Sequence, residues 1–196
     1  MRMGKQMDIA RSELILGGQK SGKSRRAENL AQHWLAQSHQ HRAMLVVTAQ
    51  AWDDEMTQRI ARHQADRAQR VPGMITVEEP LQLAQTIQTQ STPDTLIVVD
   101  CLTLWLTNWL MPVHGNAAVT EQTLSIETGQ LLQSISSAPG PLVLVGNEIG
   151  LGVIPLGREV RVFVDALGLL NQQVAAACSR VTLMAAGLPL TLKDVS

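Results

Sequence analysis

Apolar positions along the chain alternate between two patterns. Short continuous runs of Val, Ile and Leu predict strands that are buried on both faces, and segments with helical periodicity lie between them. This alternation indicates parallel strands joined by crossover helices. Strands are expected at residues 13–17, 43–48, 74–77, 95–100, 141–146, 180–185 and 190–193, and helices at 22–37, 53–67, 81–89, 102–111, 120–136 and 159–178.

The last two strands flank Gly187, Leu188 and Pro189 and predict an antiparallel C-terminal hairpin. The pattern as a whole therefore predicts an α/β, doubly wound fold with a mostly parallel sheet. A length of 196 residues, with 45% hydrophobic residues, suits one domain, expected at 13–196 after a flexible tail at 1–12. In the last helix, helical spacing predicts core positions at Val160, Phe163, Leu167, Leu170 and Val174, with Arg158, Arg161 and Asp165 on a solvated face.

Charge and composition exclude several classes of function. The net charge is −1 and aromatic residues make up 3%, so a dedicated nucleic-acid surface is not expected. The most apolar stretch, residues 102–113, contains Thr and Asn and a Pro, and is too short for a membrane span. We expect a cytoplasmic protein in which Cys101 and Cys178 are buried and reduced. Trp105 and Trp109, four residues apart, are expected to pack in the interior.

The strongest chemical signal is the sequence GGQKSGKS, which matches the phosphate-loop (P-loop) pattern GxxxxGK[ST]. Glycines let successive backbone N–H groups point at phosphate oxygens, Lys23 supplies a positive charge, and the Ser24 hydroxyl is a ligand for Mg²⁺. A strand before the motif and a helix after it favour a P-loop NTPase of the RecA-like type over a turn that binds nothing. The predicted phosphate-binding residues are Gly17, Gly18, Gln19, Lys20, Ser21, Gly22, Lys23 and Ser24.

Asp100 ends a predicted strand at the carboxyl edge of the sheet, where ligands bind in open α/β folds. A carboxylate at this position can hold the Mg²⁺ water shell, which makes Asp100 a candidate metal-site residue together with Ser24. The alternative is that Asp100 only caps the helix that follows it.

His63 lies between two arginines on a predicted helix, because Arg59, His63 and Arg67 share one face at intervals of four residues. Neighbouring positive charge favours the neutral, nucleophilic form of imidazole. The arginines could hold triphosphate oxygens while imidazole attacks phosphorus. The alternative is a solvated basic face partly neutralised by Asp66.

These motifs together resemble one enzyme family. The chain is similar to the bifunctional adenosylcobinamide kinase / adenosylcobinamide-phosphate guanylyltransferases of cobalamin biosynthesis, over about residues 13–193. The resemblance is carried, in order, by LILGGQKSGKS, TAQAWDDEM, RIARHQADR, VEEP, VVDCLTLWLTNW, VGNEIGLGVIP and a final RxxRxFxDxxGxxNQ that begins at Arg158.

The resemblance implies two reactions. ATP or GTP phosphorylates the aminopropanol hydroxyl of adenosylcobinamide, and GTP then transfers GMP through a guanylyl-histidine to give adenosylcobinamide-GDP. It implies that His63 is the nucleophile, with Lys23 also catalytic. The implied nucleotide contacts beyond the phosphate loop are Thr48, Ala49, Gln50, Gln64, Ala65, Asp66, Arg67, Glu78 and Asp100, with Glu79 as the alternative to Glu78.

The resemblance also implies a homotrimer, and the sequence offers the apolar helix at 102–111 as a segment that could pack between subunits. Two other functions stay open on the sequence. One is a monofunctional P-loop kinase for another small molecule, and the other is a non-catalytic, nucleotide-dependent switch. A switch needs no nucleophile, so the histidine between arginines argues against it.

Overall fold

A computed structural model describes residues 8–50, 69–112, 120–153 and 155–195. Seven strands form one sheet in the order β3-β2-β4-β5-β1-β6-β7. All described pairings are parallel except that of β6 with β7. The strands are β1 (Ser12–Gly17), β2 (Arg42–Val47), β3 (Ile75–Glu78), β4 (Thr95–Asp100), β5 (Leu142–Val145), β6 (Arg180–Ala185) and β7 (Leu188–Asp194). The predicted α/β fold with an antiparallel C-terminal hairpin is confirmed.

Helices cover both faces of the sheet. They are α1 (Lys23–Gln37), α2 (Leu83–Gln90), α3 (Leu102–Leu110), α4 (Glu121–Ser137) and α5 (Arg158–Ala177). Apolar residues of α1 pack with one face of the sheet, and those of α2, α3, α4 and α5 pack with the other. The continuous apolar strands follow from this arrangement, because both faces of the central strands are covered. The helix predicted at 53–67 lies outside the described residues.

The C-terminal hairpin turns earlier than its sequence suggests. Leu188 and Pro189 already belong to β7, and Ala185 pairs with Leu188 across a two-residue loop. The loop residues Ala186 and Gly187 have φ values of 51° and 80°. Positive φ at both positions is typical of the tight turns whose twist matches paired strands. The predicted turn at residues 187–189 was therefore wrong in position.

One prediction about the last helix also needs correction. Val160 is not a core residue, since it is 49% exposed in the first turn of α5, whereas Leu167, Leu170 and Val174 are buried as predicted. Helix α3, which the sequence offered as a segment that could pack between subunits, packs apolar residues into the core of its own chain. Trp105 and Trp109 are buried there with their rings edge to face, as expected. Within the described part of the chain, no helix is long and apolar enough to cross a membrane.

Candidate active site

The predicted site residues in the described ranges meet at one edge of the sheet. Gly17 ends β1, Glu78 ends β3 and Asp100 ends β4. Residues 48–50 follow β2 directly. Since all these strands run parallel, their carboxyl ends lie on the same edge, where ligands bind in open α/β sheets. His63, Gln64, Ala65, Asp66 and Arg67 lie outside the described residues.

Three residues of the phosphate loop have positive φ, a backbone conformation that residues with a side chain rarely adopt. Gly17, Lys20 and Gly22 have φ values of 152°, 55° and 102°. A Cβ at Gly17 would lie 2.5 Å from the Met184 carbonyl oxygen. These conformations turn the loop sharply between β1 and α1 and bring it to the N-terminus of α1. Backbone N–H groups and the positive end of a helix dipole are thus available to an anion.

Lys23 is the first residue of α1 and is 8% exposed. Its Nζ donates a hydrogen bond to the Gly18 carbonyl oxygen at 2.7 Å, so the ammonium is held across the phosphate loop. Burial lowers the pKa of Lys23 by more than neighbouring Cys101 and Asp100 raise it. A bound polyphosphate would place negative charge beside the Lys23 amine and so raise its pKa.

Ser24 and Asp100 form the candidate metal site. The Ser24 hydroxyl donates to Asp100 Oδ2 at 3.2 Å, which brings two hard oxygen ligands together beside Lys23. Among the residues that the structure describes, no group of three or more His, Cys, Asp or Glu side chains could hold a metal. Two protein oxygens nevertheless fit Mg²⁺, which usually completes its octahedral shell with substrate phosphates and water.

Asp100 is not the N-cap residue of α3. Helix α3 begins at Leu102 with Cys101 as its N-cap residue, so Asp100 lies one residue before the cap. Cys101 is held by Thr48, whose hydroxyl donates to the Cys101 carbonyl at 2.7 Å and accepts from its N–H at 2.9 Å. Thr48, which follows β2, thus holds the residue directly after Asp100.

An amide on α3 holds the loops that follow β2 and β3. Asn108 is buried, and its Nδ2 donates to the carbonyl oxygens of Thr48 at 2.8 Å and Pro80 at 3.0 Å. Trp105 Nε1 donates to the Leu81 carbonyl at 2.9 Å. One helix thus fixes both loops that carry predicted nucleotide contacts. A polar amide inside an apolar helical run is the sequence signal for this role, and on the sequence alone it argued only against a membrane span.

Glu78 and Glu79 have different surroundings. Glu79 Oε1 accepts hydrogen bonds from the N–H groups of Leu81 at 2.9 Å and Gln82 at 2.7 Å, just before α2. Glu78 is exposed at the end of β3. The carboxylate of Glu79 is therefore committed to the backbone of the loop that leads into α2.

The loop after β5 is fixed against the phosphate loop. The Glu148 N–H donates to the Gly17 carbonyl at 3.1 Å. The Asn147 N–H donates to Thr103 Oγ1 at 2.9 Å, and Asn171 Nδ2 donates to the Asn147 carbonyl at 3.1 Å. Strand β1 and helices α3 and α5 thus hold one short segment.

The C-terminal hairpin also supports the phosphate loop. The Gly187 N–H donates to the Ser21 carbonyl at 3.0 Å, and a Cβ at Gly22 would lie 3.2 Å from Gly187 Cα. Sequence reasoning missed this contact because the two segments are far apart along the chain. Arg161, predicted on a solvated face, donates to the carbonyls of Pro155 and Leu156 and so holds the end of the loop after β5.

Comparisons with known proteins agree with this geometry. The family model described as cobinamide kinase / cobinamide phosphate guanyltransferase matches residues 13–192. The bifunctional adenosylcobalamin biosynthesis protein CobP of Pseudomonas aeruginosa is 47% identical over 182 residues, covering 92% of this chain and 96% of that protein. The corresponding CobU protein of Escherichia coli is 34% identical over 187 residues, covering 92% and 98%.

A solved structure adds information on the fold alone. The flagellar accessory protein FlaH of Methanocaldococcus jannaschii superimposes with a TM-score of 0.53 at 10% identity, covering 95% of this chain and 79% of that one. Fold, phosphate loop and sequence relatives agree, and the chain belongs to the cobinamide kinase / cobinamide phosphate guanyltransferase family.

Proposed function

We propose that this protein phosphorylates the aminopropanol hydroxyl of adenosylcobinamide with ATP or GTP, and then transfers GMP from GTP through His63 to give adenosylcobinamide-GDP. One observation carries the proposal. In a member of this family, the phosphate loop places Lys23 across its own backbone and Ser24 beside Asp100 at the carboxyl edge of the sheet.

In the first reaction, the site supplies position and positive charge. Backbone N–H groups of residues 17–24 and the ammonium of Lys23 would bind the β- and γ-phosphates, and Ser24 and Asp100 would hold Mg²⁺. Bound Mg²⁺ would neutralise charge that develops on the phosphate oxygens. Because phosphoryl transfer depends mainly on such positioning and neutralisation, these few groups suffice for the nucleotide side of the reaction.

The rest of the nucleotide is proposed to contact Ala49, Gln50, Gln64, Ala65, Asp66, Arg67 and Glu78. Thr48, the other implied contact, is fully buried with its hydroxyl bonded to Cys101, so we propose that it positions Ala49 and Gln50 rather than contacting the nucleotide. Glu78, the last residue of β3, is proposed as a nucleotide contact with Glu79 as the alternative; the Glu79 carboxylate accepts from two backbone N–H groups. The bonds from Asn108 to Thr48 and Pro80 support this assignment, since they place the ends of β2 and β3 in a fixed relation.

In the second reaction, a lone pair of the His63 imidazole attacks the α-phosphorus of GTP, and pyrophosphate leaves. A phosphate oxygen of adenosylcobinamide phosphate then attacks the same phosphorus and frees the histidine. Splitting one displacement between two anions into two steps is the benefit of covalent catalysis. Arg59, Arg62 and Arg67 are proposed to offset the charge that builds on the α-phosphate.

Incubation with α-labelled GTP and Mg²⁺ tests the proposal. We expect a label on the protein that is labile to acid and stable to base, present in wild type and absent in His63→Ala, together with phosphorylation of adenosylcobinamide. Phosphorylation without such a label would reduce the protein to a monofunctional kinase. Tight nucleotide binding with neither activity would favour a nucleotide-dependent switch.

A homotrimer is a separate proposal that follows from the resemblance. Sedimentation velocity of the purified chain should give a mass three times that of the 21.3-kDa protomer. A monomeric mass at the concentrations used for activity would contradict it.

A further inference from the structure

We propose that Glu148 is the catalytic base of the kinase step, accepting the proton of the substrate hydroxyl as that oxygen attacks the γ-phosphorus. This assignment rests on the proposed function, because it requires an alcohol as acceptor.

Glu148 follows β5, which lies in the sheet between β1, the strand that leads into the phosphate loop, and β4, the strand that carries Asp100. Strand β5 is adjacent both to β1, where Val145 pairs with Ile15, and to β4, where it pairs with Asp100. Three residues beyond Val145, the Glu148 N–H donates to the carbonyl of Gly17, the first residue of the phosphate loop. Glu148 therefore has the phosphate loop on one side and the strand that carries Asp100 on the other.

The backbone at Glu148 is held more firmly than a connector requires. Its preceding residue, Asn147, is bonded on its N–H side by Thr103 and on its carbonyl side by Asn171. Asn171 is only 5% exposed, so this support is not a surface contact. A group that must meet a reacting atom benefits from support of this kind, since a displacement of about 1 Å is enough to lower the rate strongly.

The other carboxylates at this edge have different tasks. Asp100 accepts from Ser24 in the candidate metal site, and Glu79 accepts from two backbone N–H groups. Glu78 ends β3, which is four strand positions from β1, or roughly 19 Å at about 4.8 Å per strand. Glu148 Oε1 accepts from the Gly150 N–H at 2.8 Å, and Oε2 has no hydrogen bond to the described residues. A half-buried carboxylate with one oxygen fixed and the other available suits proton transfer.

The two reactions differ in whether they need such a base. In the kinase step the hydroxyl oxygen forms a bond to the γ-phosphorus, the bond from that phosphorus to the β,γ-bridging oxygen breaks, and the hydroxyl proton passes to Glu148. In the guanylyl step, neutral imidazole attacks with a lone pair, and the later acceptor is already an anionic phosphate. Loss of Glu148 should therefore affect the first reaction and spare the second.

The test compares Glu148→Gln with wild type in both reactions. We expect kcat for phosphorylation of adenosylcobinamide to fall by about 100-fold or more. The Kd for GTP and the rate of His63 labelling from α-labelled GTP should stay within about twofold of wild type, since neither involves a proton from an alcohol. Glu127→Gln, a half-buried carboxylate on α4, is the matched control and should change none of these values.

A second variant gives a signature that a structural role would not produce. In Glu148→Ala, added formate should restore part of the kinase rate, and it should not do so in Lys23→Ala. Kinase turnover within about threefold of wild type in Glu148→Gln would overturn the assignment, as would a parallel loss of both reactions or the absence of rescue. Wild type that labels His63 but lacks kinase activity would remove the proposed first reaction, and the base with it.

Discussion

At the scale of single residues, Gly17 has no room for a side chain. A Cβ there would lie 2.5 Å from the Met184 carbonyl oxygen and 2.6 Å from Ser21 Oγ, at a φ of 152°. We expect Gly17→Ala to lower the free energy of unfolding by about 2 kcal/mol and to weaken GTP binding. Gly18→Ala is the matched control, because a Cβ at Gly18 would meet nothing within 4 Å. Denaturant unfolding and titration with GTP measure both effects, and equal behaviour of the two variants would contradict this explanation.

Lys23 illustrates a residue whose function opposes stability. Burial lowers its pKa below the usual 10.5, so folding at neutral pH places a charged amine where burial penalises the charge. Between the lowered pKa and 10.5, the unfolded chain binds more protons than the folded one, so this cost shrinks as pH rises. We expect Lys23→Met to be more stable than wild type at neutral pH, by a margin that decreases towards pH 10.5, and to bind GTP poorly. Chemical denaturation across this pH range measures the margin, and a margin that grows with pH would show that the sign is wrong.

At the scale of elements, α3 connects the core to the site. Its apolar side packs in the interior, and Asn108 reaches two loop carbonyls. Asn108→Asp keeps the shape but removes both donors and sets a carboxylate against two carbonyl oxygens. We expect a loss of about 3 kcal/mol in the free energy of unfolding and weaker nucleotide binding. Gln88→Glu, the same exchange at an exposed position of α2, should have little effect. Thermal unfolding compares the two variants, and similar melting temperatures would argue against the role of Asn108 in holding the two loops.

The elements themselves were largely predictable. Continuous Val, Ile and Leu runs identified strands such as β4, because burial on both faces leaves no polar alternation. The phosphate loop was predictable because its chemistry depends on a local run of residues. The position of the hairpin turn was not, since Pro189 suggested a turn where the backbone already pairs with Met184. Because Ala186 and Gly187 adopt positive φ and close the loop in two residues, the strand pairing, rather than the turn preference of Pro189, decides where the hairpin turns.

At the scale of the whole molecule, a buried carboxylate joins three elements. Glu13 on β1 is 1% exposed, and its Oε1 accepts from Arg26 on α1 at 2.8 Å and from Thr182 on β6 at 2.8 Å. Arg180 lies 3.9 Å from the other oxygen. We expect Glu13→Gln to lower the free energy of unfolding by about 3 kcal/mol, because it leaves buried positive charge without its partner. Glu127→Gln serves as the control in the same urea titration, and an equal effect of both variants would refute the buried network.

Long-range polar contacts explain what the sequence could not provide. Glu13 was predicted within an apolar strand, yet its partner Thr182 is 169 positions away, and no periodicity reports such a pairing. The same holds for Asn171 with Asn147 and for Gly187 with Ser21. Hydrophobic patterns predict which faces are buried, whereas polar contacts between distant segments require the assembled sheet.

We propose that one pocket at the carboxyl edge of the sheet binds the nucleotide, with its polyphosphate in the loop of residues 17–24. A crystal structure with Mg²⁺ and a non-hydrolysable GTP analogue tests it most directly. We expect the β- and γ-phosphates to accept hydrogen bonds from backbone N–H groups of this loop, with the metal contacted by Ser24 and, directly or through water, by Asp100. Triphosphate density away from the loop, with Lys23 still bonded to the Gly18 carbonyl, would contradict the account.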